Sequence, residues 1–120
     1  MNHYQYVKKI FSDETLTKLL PDNKVFRLRA SERHKVPYVT YFFYDESGAY
    51  YAEGKEKKTK FYIQIDINSN GDFSDIEQAI RKIVAINRWN KGAIYEDVDT
   101  ETGLFFKCMR FSFELKYEEV

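Results

Sequence analysis

The sequence predicts an α+β fold: a largely antiparallel sheet of about four or five strands, with an N-terminal helix and one long amphipathic helix packed on one face. Three stretches carry that prediction. In Lys60-Phe61-Tyr62-Ile63-Gln64-Ile65-Asp66-Ile67, apolar Phe61, Ile63, Ile65 and Ile67 alternate with polar or amphipathic residues, the period of a half-buried strand. Further on, Ile76, Ala79, Ile80, Ile83, Val84 and Asn87 recur at the spacing of one helix face, so their apolar stripe must lie on a sheet. Near the end, Met109, Phe111, Phe113, Leu115 and Tyr117 alternate with Arg110, Ser112, Glu114 and Lys116, a second strand with one buried face.

In chain order, Tyr6, Val7 and Ile10 fall at helical spacing. A second short helix is expected from Asp13, with Ser12 as N-cap and Leu16, Leu19 and Leu20 on its apolar side, stopped by Pro21-Asp22-Asn23. Val25-Phe26-Arg27-Leu28-Arg29 reads as a strand that sets Arg27 and Arg29 on one face. A charged connection from Ala30 to Lys35 follows, in which His34 reads as a solvated side chain. Val36-Pro37-Tyr38-Val39-Thr40-Tyr41-Phe42-Phe43-Tyr44 is a strong strand, with Pro37 confined to its start or to an edge because it has no N–H for a ladder.

Residues 45–59 contain the turn Asp45-Glu46-Ser47-Gly48 and Lys55, Lys57 and Lys58 of the lysine cluster that ends at Lys60, with no apolar stripe long enough to demand burial. They are expected to form a mobile hairpin loop. After the strand Phe61 to Ile67, Asn68-Ser69-Asn70-Gly71-Asp72 supplies turn formers, and Ser74-Asp75-Ile76-Glu77 fits a capping box that starts the amphipathic helix. Gly92 is its expected stop. The unit from Phe61 through that helix to Ile94 is expected to be a crossover, right-handed if its two strands are adjacent and parallel. Ile94-Tyr95-Glu96-Asp97-Val98 and Leu104 to Tyr117 flank a five-residue connection, Asp99 to Gly103, and form a β-hairpin.

One domain spanning 1–120 is the expected organisation, since 120 residues build a single core. No apolar run approaches the ~20 residues that cross a bilayer, so no membrane is expected, and the N-terminus lacks the basic head and apolar middle of an export signal. Cys108, the single cysteine, has no internal partner, and with only His3 and His34 beside it no metal-ligand spacing exists. Cys108 lies on the polar side of its strand and reads as a small inert side chain. Aromatic residues make up 18% and concentrate in the strands, which marks a β-rich core with tyrosines at its rim.

Net charge is zero but unevenly laid down. From Lys24 to Lys60 nine basic residues face five acidic ones, and from Ile94 to Val120 seven acidic residues face three basic. Either these segments neutralise each other as neighbours in one sheet, or they form two opposed surfaces suited to copies meeting head to tail.

No catalytic arrangement emerges: there is no Gly-x-Ser-x-Gly elbow, no glycine-rich phosphate loop and no paired histidines. Glu96 and Asp97, adjacent on a strand, point to opposite faces and cannot act as a carboxylate pair. Asp97, Asp99 and Glu101 match no calcium loop and read as solvated turn residues. An enzyme, a cofactor and a bound metal are therefore not expected. The RNP1 signature of RNA-recognition domains fails in both Lys60-Phe61-Tyr62-Ile63 and Phe105 to Phe111 for want of glycines, and zero net charge removes the usual drive toward phosphate backbones. A small nucleic-acid-binding α+β module stays as the alternative.

The order of elements, together with the Val36-Pro37-Tyr38-Val39-Thr40-Tyr41 entry, the Tyr51-Ala52-Glu53-Gly54 hairpin, the Tyr62-Ile63-Gln64-Ile65-Asp66-Ile67 strand and the closing Leu104-Phe105-Phe106-Lys107-Cys108-Met109-Arg110-Phe111 strand, resembles the small tail terminator, or tail completion, proteins of long-tailed bacteriophages and prophages of Gram-positive bacteria. The resemblance covers almost the whole chain in order and texture. It implies a structural protein of the virion tail, present in the bacterial host cytoplasm during assembly. Such a protein forms a ring, typically a hexamer, on the head-proximal end of the tail, ends tube polymerisation and helps join tail to head. Its partners would be further copies of itself, the tail tube protein and the head–tail connector protein. From the charge pattern we expect the basic group Arg27, Arg29, Arg33 and Lys35 to meet the acidic group Glu96, Asp97, Asp99 and Glu101 of the next copy. Tyr50, Tyr51, Lys55, Lys57 and Lys58 of the 45–59 hairpin are expected to contact a partner.

Overall fold

Alternation along the two strongest strands decides the core. The structure, a computed structural model, describes residues 1–117; Glu118 and Glu119, counted above in the acidic C-terminal segment, lie outside the described residues. Helix α1 (His3–Ile10) and the single-turn α2 (Glu14–Thr17) lead into β1 (Phe26–Arg27), β2 (Tyr38–Ala52), β3 (Lys55–Ser69), α3 (Ser74–Ile86), β4 (Asn90–Val98) and β5 (Phe105–Lys116). The five strands form one sheet in the order β1-β2-β3-β5-β4, parallel only between β1 and β2. It is an α+β domain with a mixed sheet.

On β3, Phe61, Ile63, Ile65 and Ile67 are fully buried, and their neighbours in register, Phe113, Phe111 and Met109 of β5 and Val39 and Tyr41 of β2, share that face. Val7 of α1, Leu16 of α2 and the stripe Ile76, Ala79, Ile80, Ile83 and Val84 of α3 pack onto it. One aromatic knot ties the layers together: the Trp89 ring stacks on Phe113 at 4.7 Å, and its indole N–H donates to the Tyr6 hydroxyl at 3.0 Å. Buried Trp side chains need such a polar outlet.

The crossover differs from the adjacent pair considered above. β3 and β4 both run antiparallel to β5, which lies between them, so the β3–α3–β4 unit spans one intervening strand. The β4–β5 hairpin with its Asp99 to Gly103 connection is present as expected, with Gly103 left-handed at φ 74°.

Several boundaries move for local reasons. The long helix expected after Asp72 is not found: α3 has 13 residues and no described helix is longer. It ends because Arg88 adopts φ 58° while the Arg88 N–H bonds to Ala85 O and the Trp89 N–H to Val84 O, a Schellman closure with an arginine in the position glycine usually holds. Gly92 is not the stop; it lies in β4, where an added Cβ would come 3.1 Å from the Arg110 carbonyl oxygen. The Ser74 capping box is also absent. Ser74 is the first helical residue, Asp72 accepts its N–H at 2.9 Å, and Glu77 instead meets Arg81 at 2.9 Å and Lys107 at 3.5 Å. At α2 the cap is Asp13 rather than Ser12: the Asp13 carboxylate accepts the Thr15 N–H at 2.9 Å, while the Ser12 hydroxyl donates back to Lys8 O. The expected strand Val25 to Arg29 shortens to two residues because Leu28 turns left-handed, φ 70°.

Residues 45–59 are not a loop. After a bulge at Tyr44, β2 and β3 stay paired out to Ala52 opposite Lys55, where Glu53 and Gly54 (φ 54° and 74°) make the two-residue turn that suits strand twist. Main-chain pairing, which needs no apolar stripe, supplies the order. The result is a two-stranded arm on a molecule 52 Å long and about half as wide.

At the arm's base His3 is buried, stacked on Phe61 at 4.3 Å with Phe43 edge-on, and its Nδ1 has no hydrogen-bond partner among the described residues. Burial holds its pKa below the ordinary 6.5; nearby Glu46 acts upward and Arg27 downward, but desolvation is the largest influence. The unfolded chain therefore takes up a proton that the folded one resists, and stability should fall as pH drops through 6.5 toward the depressed folded value. His3→Leu removes this dependence while leaving the carboxylates shared by both proteins. Denaturant melts between pH 7.5 and 5.5 should show the wild type losing more stability than the variant; parallel curves would contradict it.

Candidate functional site

The two charged groups predicted to meet across copies stand at opposite edges of the sheet. Arg27 is on β1, its guanidinium 4.2 Å from the centre of the Tyr4 ring, on the side where α1 packs. Arg29 does not share that face: the left-handed Leu28 turns the chain, and Arg29 lines a groove on the opposite, helix-free face. Arg33 and Lys35 follow in an exposed loop, where Asp22 accepts the Lys35 backbone N–H at 2.9 Å. The same loop holds His34, whose Nδ1 lies 2.7 Å from Ser31 O and whose ring meets Tyr38 edge-on.

The acidic group belongs to β4 and its turn, with β2, β3 and β5 between it and β1. Glu96 lies 3.5 Å from Lys107, which also bonds Glu77. Asp97, near the end of β4, accepts the Val98 N–H at 2.8 Å, and Asp99, in the turn, accepts the Glu101 N–H at 3.0 Å, so each is held by its own backbone. Asp97, Asp99 and Glu101 are exposed, and none is in an ion pair among the described residues; the same is true of Arg27, Arg29, Arg33 and Lys35. The two groups do not neutralise each other within the subunit.

In the arm, Tyr50 and Tyr51 are 55% and 61% exposed, and Lys55, Lys57 and Lys58 are exposed beside them. Tyr50 pairs with Lys58 across the ribbon, and the Tyr51 ring folds over Gly48, where an added Cβ would collide with the Tyr51 hydroxyl.

A surface that the sequence reading passed over is the sheet face away from the helices. Register places Tyr38, Thr40 and Phe42 of β2, Lys60, Tyr62, Gln64, Asp66 and Asn68 of β3, and Phe106, Cys108, Arg110 and Ser112 of β5 on it. A chain of contacts runs along it. Lys60 sits 5.1 Å from the Tyr62 ring, Tyr62 lies beside Tyr44, and the Arg110 guanidinium is 4.7 Å from the Tyr44 ring. Arg110 Nε then donates to Gln64 at 3.0 Å, and the Gln64 amide donates to Asp66 at 3.1 Å.

Beyond Asp66 the face dips into a groove of about 360 Å³ walled by Tyr38, Tyr95 and Phe106 and overhung by Leu28 to Ala30. Burial, and next the Asp99 carboxylate, push the Tyr38 phenol up. Cys108, fully buried under Tyr95, has its thiol pushed up by desolvation, which makes it a poor nucleophile as expected from its sequence context. Among the described residues no three His, Cys, Asp or Glu side chains cluster to hold a metal ion, and no helix is long and apolar enough to cross a membrane. The signal for this face lay in the polar members of the alternation, Tyr62, Gln64 and Asp66. If every helix packs on the apolar side, those residues line a surface left uncovered.

Compared with protein-family models and with curated proteins, the chain gives no match.

Proposed function

We propose that this protein is a structural assembly subunit that closes head to tail into a ring on the tail tube of a long-tailed bacteriophage, ends tube growth and helps join tail to head. The observation that carries the reading is the separation of charge: basic side chains along the β1 edge and its loop, acidic ones along β4 and its turn, with no ion pair between them among the described residues. A heterologous interface needs two different complementary surfaces on each copy, and opposed edges of opposite sign supply them. The projecting arm supports the same reading, since its exposed tyrosines and lysines reach past the body toward the tail tube or a neighbour. The function is one of fit between surfaces, without a substrate.

Replacing residues 49–58 by a two-residue Asn-Gly turn, which closes on the paired Gly48 and Thr59, is the direct test of the capping role. The body should fold with an unchanged circular dichroism spectrum, and tails assembled with the variant should fail to join heads. Complete, infectious particles made with the shortened protein would refute this role for the arm.

The second reading is a nucleic-acid-binding module. What favours it is the open face, where Tyr44 and Tyr62 alternate with Lys60 and Arg110 as stacking and phosphate-binding groups would. Asp66 and Glu114 on the same face, and the zero net charge, work against it.

A further inference from the structure

The helix-free face carries more aromatic surface than a solvated sheet needs, and its charges are sorted along the strands. Tyr38, Phe42, Tyr44, Tyr62, Tyr95 and Phe106 share it, with Tyr44 and Tyr95 40% and 49% exposed. Toward the arm stand Lys58, Lys60 and Lys116, offset in part by Glu114 and by Asp45 opposite Tyr62. At the far end stand Asp66 and Asp97, with Asp99 near Tyr38, offset in part by Arg29. Arg110 and Gln64, hydrogen-bonded to each other at 3.0 Å, lie midway.

We propose that a second copy of this chain docks here, face to face, about a two-fold axis that lies between the sheets and runs across the strands near Gln64 and Arg110. The charge order selects that arrangement. With strands reversed, the lysine end of each copy covers the acidic end of the other; with strands aligned, lysines would face lysines and carboxylates would face carboxylates. Register gives the rows that meet: Lys60 with its row partner Glu114 over the Asn68, Phe106 and Asp97 row, and Tyr62 over the Asp66 row.

The area is adequate. Four strands at ~4.8 Å spacing and about ten residues at ~3.3 Å each cover roughly 600 Å² per copy, at the lower end of stable interfaces. Arg110, Gln64 and Asp66 already satisfy one another, so burying them under a partner leaves few orphaned polar atoms, and the tyrosines supply the amphipathic contact area that interfaces favour. This contact shares Arg29, Asp97 and Asp99 with the edges, while Tyr44, Lys60, Tyr62 and Lys116 belong to the face alone, so variants at those four separate it from ring closure; it would join two rings or, without rings, make dimers.

Light scattering on the purified chain, over a wide concentration range, tests it with two double variants. Lys60→Glu with Lys116→Glu should weaken the face contact at least tenfold and halve the wild-type mass, from two copies to one or from twelve to six. Arg33→Glu with Lys35→Glu, in the exposed loop outside this face, should leave the face-to-face pair intact even if rings are lost. Tyr44→Ser, at a 40% exposed position, checks the face without touching a charge and should also halve the mass. A wild-type monomer at every concentration overturns the proposal, as does a six-copy mass that the lysine variant leaves unchanged. So does binding of a fluorescent single-stranded DNA that the lysine variant abolishes while self-association is absent, because the face would then serve nucleic acid.

Discussion

Phe61→Ala should cost about 3–5 kcal/mol, a large share of the 5–15 kcal/mol that holds a domain of this kind together. Phe61 is fully buried at the centre of β3 and touches both neighbouring strands and the first helix: Phe113 at 5.6 Å, Phe43 at 6.0 Å and the His3 ring at 4.3 Å. None of these can collapse into the space, since Phe113 is held by the Trp89 stack and His3 by the capped first turn, where Asn2 and Gln5 bond each other's backbone N–H groups. The cavity therefore persists and its full energetic cost is felt. Urea denaturation of wild type and variant measures the difference, with Tyr50→Ala as a control expected within about 0.5 kcal/mol because Tyr50 is 55% exposed. A cost below about 1.5 kcal/mol would mean that the knot of rings is looser than its distances indicate.

The second large effect concerns assembly. Reversing Arg33 and Lys35 to glutamate should abolish ring formation, and so should reversing Asp99 and Glu101 to lysine, with either variant folding normally because all four side chains are exposed and none is in an ion pair among the described residues. Mixing the two variants should restore association, because each then presents a complementary edge to the other and a repulsive one to itself. Sedimentation of each variant alone and of the mixture reads this directly. Rings formed by either variant alone would show that these edges do not meet. High salt should weaken the wild-type contact, since exposed charges are screened within about 8–10 Å at physiological ionic strength.

Much of the fold was legible because its strongest elements announce their own period. The Phe61 to Ile67 alternation, the α3 stripe and the β4–β5 hairpin appear where the residues place them. What was not legible depended on partners far away in sequence or on single backbone torsions. Nothing local to β5 states that it inserts between β3 and β4, and that insertion carries the acidic edge to the far side of the sheet from β1. The end of α3 is set by Arg88 at φ 58°, a conformation arginine does not advertise, while the more obvious Gly92 serves a close approach of β4 to Arg110. The hairpin at 45–59 was legible but its strands were not, because they rest on main-chain pairing and a Glu53-Gly54 turn rather than on buried side chains. Of the candidate site, the identity of the charged groups could be read from composition by segment. The separation of Arg27 from Arg29 by the left-handed Leu28, and the aromatic open face, needed the sheet to be seen whole.

The most direct test of the proposed function is negative-stain imaging, with mass by light scattering, of the wild-type protein alone and mixed with the tail tube protein that this proposal implies. Head-to-tail closure through the two edges predicts rings of about six copies, free in solution or seated on one end of the tube. A chain that stays free of rings in both preparations, leaving the tubes bare at both ends, would contradict it.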